Sequence, residues 1–347
     1  MQAYDAVDLF AGPGGFDLGA QRLGLDVIGI EFDHAACETR RAAGHPTVDG
    51  DVREYGPADF NYPRGLIASP PCQTFSVAGN GSGRRQLDEV RAGISSLVFG
   101  WPAEAGPFSD ERTGLILEPL RWVLEARRGG RPFQWVALEQ VPTVKPVWEA
   151  YAVALQSIGY HVDTGVLNAE QYGVPQTRRR AILIAHLDRP VSLPAPTHSR
   201  YYSRDPQRLD EGVKPWVSMA EALGWDADMV VRSNYGTGGE SANRGTRQVG
   251  RNVRFSATNI RPNTALRDAT QPAPTLAFGH ERPRWVTERG KTLQLDKGSV
   301  RVTVEEAATL QSFPRGYPWQ GSETKQYLQI GNAIPPLLAE AVLRQVL

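Results

Sequence analysis

Short apolar runs that end on polar or reactive side chains recur through the first half of the chain, and this recurrence restricts its fold more than any other feature. The run at 4–10 closes on glycines, and that at 27–30 ends on Glu31. A turn at 50–51 carries Asp51, the run at 66–68 leads into Ser69-Pro70-Pro71-Cys72, and that at 135–138 ends on Glu139. After the first run, Phe16, Ala20 and Leu23 recur at helical spacing. Strand, turn and helix in repeated succession predict an α/β fold: a mostly parallel, Rossmann-like sheet with helices on both faces and a ligand crevice along its carboxyl edge. A helix over 147–158 and β-like runs at 160–167 and 181–185 continue the pattern.

Beyond residue 187 the pattern breaks. Pro, Gly, Arg, Ser and Asn dominate up to 297, and 217–223 is the longest amphipathic stretch. Trp216, Trp225, Phe255, Phe278 and Trp285 supply bulk for a small core, so this segment reads as a folded, loop-rich domain. The expected organisation is one α/β domain over 1–187 and 298–347, interrupted by a smaller domain over 188–297. In the returning part, Thr303-Val304-Glu305-Glu306 is a capping box, Pro314 stops that helix, and Pro335-Pro336 opens the last one.

Charge and cysteine content exclude several classes. Acids and bases balance at 38 each in the 347 residues, so overall charge does not draw a polyanion. Locally, Arg232, Arg244, Arg247, Arg251, Arg254, Arg261 and Arg267 stand against the single acid Glu240 between 229 and 267, which predicts a phosphate-facing surface. Two cysteines, Cys37 and Cys72, allow neither a disulfide framework nor a Cys-built zinc site; no metal is expected, and a reducing compartment fits. The sequence has no apolar run of membrane-spanning length and no secretory leader pattern, so a cytoplasmic protein without membrane contact is expected.

Three places could carry chemistry. In Asp8-Leu9-Phe10-Ala11-Gly12-Pro13-Gly14-Gly15 the glycines let the backbone approach a nucleotide-like ligand at a helix start. Glu31, 23 residues past Asp8, stands where an acid reaches a ribose hydroxyl, although a plain tight turn followed by a solvated acid would look the same. Cys72 sits in a proline-stiffened loop after a strand, a fitting address for a thiolate nucleophile. Cys37, in a helical stretch, reads as a buried small hydrophobe. Glu139 can donate a proton if burial raises its pKa, and Arg178 and Arg180 alternate to one side of the next strand start. Those arginines suit a base carbonyl oxygen or a phosphate, or only a solvated strand end.

Together these residues resemble the bacterial DNA cytosine-5 methyltransferase family over nearly the whole chain. DLFAGPGGFDLG, SPPCQTFS, LEQV, QYGVPQTRRR, RVTVEEAATLQSFP and QIGNAIPPLLA are similar to six of its motifs, in its order. The resemblance implies methyl transfer from S-adenosylmethionine, leaving S-adenosylhomocysteine, to carbon-5 of a cytosine flipped out of a specific duplex DNA sequence. It implies Cys72 as nucleophile at carbon-6, Glu139 at nitrogen-3, Arg180 at the exocyclic oxygen and Arg178 supporting the loop. It places Asp8, Phe10, Gly12, Gly14, Glu31, Asp51, Pro70, Leu115 and Asn332 at the cofactor. Gln73, Ser76, Arg84, Arg85, Gln176, Arg232, Arg244, Arg247, Arg251, Arg254 and Thr275 would meet DNA, Thr275-Leu276 resembling the threonine-leucine pair of the target recognition domain. A monomer acting on double-stranded DNA, with a cognate restriction endonuclease working separately, completes the implied picture.

Two features depart from the family. Gln140 replaces the usual asparagine after the motif glutamate, and 79–112 is longer than compact members need. That segment, glycine-containing and next to Cys72, is expected to form a mobile lid that closes on phosphates through Arg84, Arg85 or Arg91. The alternative readings are an RNA (tRNA) cytosine-5 methyltransferase, a catalytically silent DNA-binding protein, and a nicotinamide-dependent dehydrogenase. The last has no use for Pro70-Pro71-Cys72 or for the arginine motif.

Overall fold

The computed structural model describes residues 3–71, 82–99, 114–227, 229–232, 253–256, 266–276 and 300–347. The chain divides into two compact units: Met1–Leu167 with Arg179–Ala195 and Leu338–Leu347, and Asn168–Arg178 with Pro196–Leu337. Among the described residues no helix is long and apolar enough to cross a membrane.

The first unit holds a seven-stranded sheet of β1 (Ala6–Leu9), β2 (Val27–Glu31), β3 (Thr47–Asp49), β4 (Gly65–Ala68), β5 (Trp135–Gln140), β6 (His161–Asn168) and β7 (Arg179–His186). Its order is β3-β2-β1-β4-β5-β7-β6. The pairs among β1 to β5 are parallel, and β7 runs antiparallel to β5 with Ile182 opposite Glu139. β2 and β4 flank β1, so chain order reverses at β1 and opens a crevice beyond the carboxyl ends of β1 and β4.

Alternation along the strands divides the work between the sheet's faces. Val7, Leu9, Leu66, Ala68, Val136, Leu138, Leu183 and Ala185 enter one core with Trp122, Trp148 and Tyr151. The intervening Asp8, Ile67, Glu139 and Ile182 turn to the opposite face. Helices α1 (Gly15–Gln21) and α2 (His34–Ala42) follow β1 and β2; α3 (Ser82–Phe99), α4 (Glu118–Arg128) and α5 (Lys145–Ser157) follow later. Trp148 Nε1 donates to Ala181 O at 3.2 Å and so ties α5 to β7.

Within the segment expected to form a lid, residues 82–99 depart from that reading, and 79–81 and 100–112 lie outside the described residues. An 18-residue helix occupies 82–99. Val90 and Ile94 enter the core and Leu87 and Leu97 pack against it, a three-four-three spacing that buries one stripe in spite of Gly83 and Gly93. Arg91 lies 3.9 Å from Asp88 on the exposed side of the same helix. The α4 helix was equally unforeseen: Pro119 opens it, and Leu120, Val123 and Leu124 repeat at helical spacing.

The second unit contains an antiparallel sheet of order β10-β8-β9-β11, made of β8 (Met229–Arg232), β9 (Val253–Ser256), β10 (Leu266–Asp268) and β11 (Val300–Arg301). With it lie α6 (Met219–Leu223), α7 (Val304–Leu310) and α8 (Glu323–Asn332), while α9 (Pro336–Leu343) closes the chain. The expected capping box forms at Thr303 and Glu306, and Glu306 also accepts from Trp225 Nε1 at 3.1 Å. Buried amides and a guanidinium join several segments of this unit. Gln176 donates to Gln311 Oε1 at 2.5 Å and accepts from Leu276 N at 3.0 Å, and Gln311 in turn donates to Ala333 O at 2.7 Å.

Glu170 is buried in this unit with its Oε2 unpartnered. Burial pushes its carboxyl up to about 7, against the nearby Arg200 and Arg267 and a hydrogen bond from the Tyr201 backbone. A raised carboxyl stabilises the fold fully below its ordinary value of 4.5, and that contribution is lost as pH rises through about 7. Glu170→Gln, which mimics the protonated form, should match the parent melting temperature near pH 5 and exceed it by about 2–4 °C near pH 8. A thermal melt series across that range checks this, and identical curves at both ends would refute it.

Candidate active site

The carboxyl ends of β1, β2, β4 and β5 gather the sequence-predicted groups of the first unit. Beyond β1, Phe10, Gly12 and Gly14 take left-handed conformations with φ of 59°, 55° and 102°. A Cβ at Gly12 would meet nothing within 4 Å, so the turn is open on that side, but its backbone angle still favours glycine. Gly12 N donates to Glu31 Oε2 at 2.8 Å, and Phe32 N and Asp33 N donate to Glu31 Oε1 at 2.9 and 2.7 Å. The glycine turn and the β2 acid are thereby locked together. Burial raises the Glu31 carboxyl, and these three backbone donors, with Arg40, oppose the shift.

Asp8 is 1% exposed, and neither of its carboxyl oxygens has a partner. Burial pushes its pKa well up, Asp17, Glu31 and Glu139 add to the rise, and only Arg40 counters it. An unpaired buried carboxyl costs stability unless a ligand answers it. The donor it lacks is a cationic or N–H group reaching the end of β1. Asp51, by contrast, is engaged: Arg53 holds its carboxylate through Nε at 3.0 Å and Nη2 at 2.6 Å and keeps it below the usual range.

Glu139 and Arg180 form a buried ion pair, Oε1 to Nε at 2.5 Å, across the antiparallel β5 and β7. Ser69 hydrogen-bonds to the same carboxyl. Burial raises Glu139, while Arg180 and Ser69 pull it back, leaving a carboxyl that favours its proton more than an exposed one. Gln140 resolves the departure noted in the sequence: its Nε2 donates to Pro70 O and its Oε1 accepts from Val141 N. The longer amide thus ties the proline loop to β5.

The remaining candidates are dispersed. Arg178 belongs to the second unit, fully buried, and donates to Leu276 O, Gly331 O and Ala333 O at 3.1, 2.7 and 3.0 Å. That guanidinium binds the protein's own carbonyls. Thr275 Oγ1 donates to Thr177 O at 2.6 Å, and Gln176 is wholly enclosed. Asn332 ends α8 in that unit, exposed. In the first unit Leu115 begins a short 3₁₀ turn, half-buried. Arg84 and Arg85 lie on α3, Arg232 on β8 and Arg254 on β9. Cys72, Gln73, Ser76, Arg244, Arg247 and Arg251 lie outside the described residues. Cys37 is buried, donates to Glu31 O at 3.2 Å, and has its thiol pushed up to about 12 by burial, which makes it inert.

Sequence reasoning passed over Phe32, Ser69 and Arg40. Phe32 is 77% exposed directly after Glu31, an aromatic face at the crevice edge, and its position alone could have flagged it.

The profile of the C-5 cytosine-specific DNA methylase family matches residues 4–99 and 103–347. Type II methyltransferase M1.HphI of Haemophilus parahaemolyticus is 27% identical over 98% of this chain and 86% of its own length. Type II methyltransferase M.AplI of Arthrospira platensis is 30% identical over 98% and 84%. Among solved structures, a candidate DNA modification methyltransferase encoded within an E. coli prophage superposes with a TM-score of 0.58 at 20% identity, covering 99% of this chain and 98% of that one. The S. pombe Dnmt2 methyltransferase gives 0.58 at 14% identity over 99% and 98%, and these two likenesses speak for the fold.

The Glu139–Arg180 geometry makes a prediction independent of any substrate. Arg180→Met removes the chief influence lowering Glu139, so its carboxyl should titrate higher in a ¹³C NMR titration; an unchanged or lower value would contradict the pairing.

Proposed function

The chain belongs to the C-5 cytosine-specific DNA methylase family, so it is a DNA cytosine-5 methyltransferase with S-adenosylmethionine as donor, and from that premise we propose how its residues divide the reaction. The observation that carries the proposal is the Ser69–Glu139–Arg180 cluster, in which Ser69 stands three residues ahead of Cys72 and Glu139 turns to the same sheet face as Asp8.

The first unit fits the donor. Asp8 offers two unanswered oxygens to a cationic amino group, Glu31 is held for ribose hydroxyls, and Phe10 with Phe32 supplies aromatic surface for a purine. Gly12 and Gly14 keep the backbone low, and Asp51, Pro70 and Leu115 complete the proposed set in this unit, with Asp51 exchanging Arg53 for the adenine amine. Bound S-adenosylmethionine supplies a sulfonium methyl, which carbon-5 of cytosine accepts once addition at carbon-6 has made it electron-rich.

Cys72 contributes that addition: its thiolate forms a bond to carbon-6 while Glu139 delivers its proton to nitrogen-3, so the ring takes up no net charge. Arg180 holds the Glu139 carboxyl and faces the exocyclic oxygen. After methylation, a water takes the carbon-5 proton, the electron pair of that C–H bond re-forms the carbon-5–carbon-6 double bond and expels the Cys72 thiolate, and the nitrogen-3 proton returns to Glu139. The base is reachable only outside the stack, so we propose flipping from a specific duplex. Residues 188–297 act as the recognition domain through Arg232, Arg244, Arg247, Arg251, Arg254 and Thr275, and Gln73, Ser76, Arg84 and Arg85 of the first unit also contact DNA. Gln176, being enclosed, supports that surface from beneath. Relatives named as type II methyltransferases favour a modification role beside a separate endonuclease.

Cys72→Ala should abolish transfer yet retain donor binding, and duplex containing 5-fluorocytosine should trap the parent protein as a denaturation-resistant complex. A methylating alanine variant would overturn the role given to Cys72. Glu139→Gln should slow single-turnover transfer by about 10²-fold while duplex affinity changes little. Equal loss of binding and rate would instead mark Glu139 as structural.

A further inference from the structure

The glycine turn rests on a buried guanidinium that none of the sequence motifs includes. Arg40 of α2 and Asp17 of α1 are 0% and 3% exposed and meet bidentately, Nη1 to Oδ2 and Nη2 to Oδ1 at 2.7 Å each. The rest of the fork is also used: Nη1 donates to Ala11 O at 3.4 Å, Nη2 to Pro46 O at 3.2 Å, and Nε to Thr47 Oγ1 at 3.2 Å. All five N–H donors of one guanidinium therefore find acceptors, on the turn, on α1 and on the strand entering β3.

The surroundings have been shaped for it. A Cβ at Gly29 would stand 2.0 Å from Arg40 Nη2 and 2.7 Å from the Ala11 Cβ, so β2 needs glycine where the guanidinium passes. Ala11 O, the carbonyl it reaches, also accepts from Gly14 N at 3.3 Å and closes the turn, while Ala11 N donates to Ile30 O at 3.1 Å. A buried pair of this kind seldom adds net stability over apolar residues of equal volume. What it adds is geometry, since a planar fork fixes several carbonyls at once and a point charge cannot.

We infer that Arg40, seated on Asp17, is the positioning residue that holds the Ala11–Gly14 turn in the form that receives the methyl donor. The inference rests on the methyltransferase reading for the ligand, but the ordering of the turn belongs to the protein alone. Arg40 also stands close enough to Asp8 to favour its ionised form, the form that suits a cationic amino group.

Arg40→Lys keeps the charge and loses the fork. In the full chain, amide exchange at Gly12 and Gly14 should quicken by about tenfold or more while the amides of β4 stay protected. Calorimetric titration with S-adenosylmethionine should show donor affinity falling about tenfold, with kcat at saturating donor and KM for duplex nearly unchanged. The apolar double variant Asp17→Leu/Arg40→Met fills the same volume and carries the same expectation should the lysine variant not fold. A folded variant with unaltered exchange at Gly12 and Gly14 and unaltered donor affinity would overturn the inference. A parent protein that binds no donor would defeat the methyltransferase reading instead, and the exchange measurement would still decide the role of Arg40.

Discussion

The structure of the first unit depends on one adjacency: β4 and β5 side by side and parallel, with β7 antiparallel at the far edge of β5. Parallel pairing brings the ends of β4 and β5 out together, so Ser69 emerges beside Glu139. The antiparallel neighbour then brings the start of its strand, Arg180, to that same edge. An all-parallel sheet would have put the amino end of β7 on the opposite edge, and Glu139 would have lacked its cation.

Burial decides the electrostatics that follow. Asp8, Glu31 and Glu139 all have raised pKa values, and burial is the largest cause for each. Desolvation of a carboxylate costs several kcal/mol, of the order that one close cation returns. Glu139, with Arg180 and Ser69, and Glu31, with three backbone N–H groups, are compensated in part. Asp8 has only Arg40 against its rise and a hydrogen bond at neither oxygen, which is why we propose that it answers a cationic ligand.

Much of this was legible in the sequence because the signals are local. Apolar runs with reactive ends gave the strands, the capping box at Thr303 gave α7, and a lone cysteine in a helix gave the inert Cys37. The helix at 82–99 was missed for a local reason as well: glycine content was weighed above the Leu87, Val90, Ile94 and Leu97 stripe, which packing rewards. What the sequence could not show is how polar side chains meet across strands. Gln140 looked like a defect and proves to be a tie to Pro70, and Arg178 and Arg180, two residues apart, serve different units. Asp17 lies in the glycine motif, but Arg40, 23 residues on, lies in none, so nothing in the sequence marks their pairing.

The central claim is that this strand-end cluster directs a methyl group to carbon-5 of cytosine in duplex DNA. The most direct measurement incubates the protein with duplex and isotopically labelled S-adenosylmethionine, digests the DNA to nucleosides, and locates the label by mass spectrometry. The account predicts label in 5-methyl-2′-deoxycytidine alone. Label on an exocyclic amine of cytosine or adenine, or incorporation into tRNA with none into duplex, would contradict it.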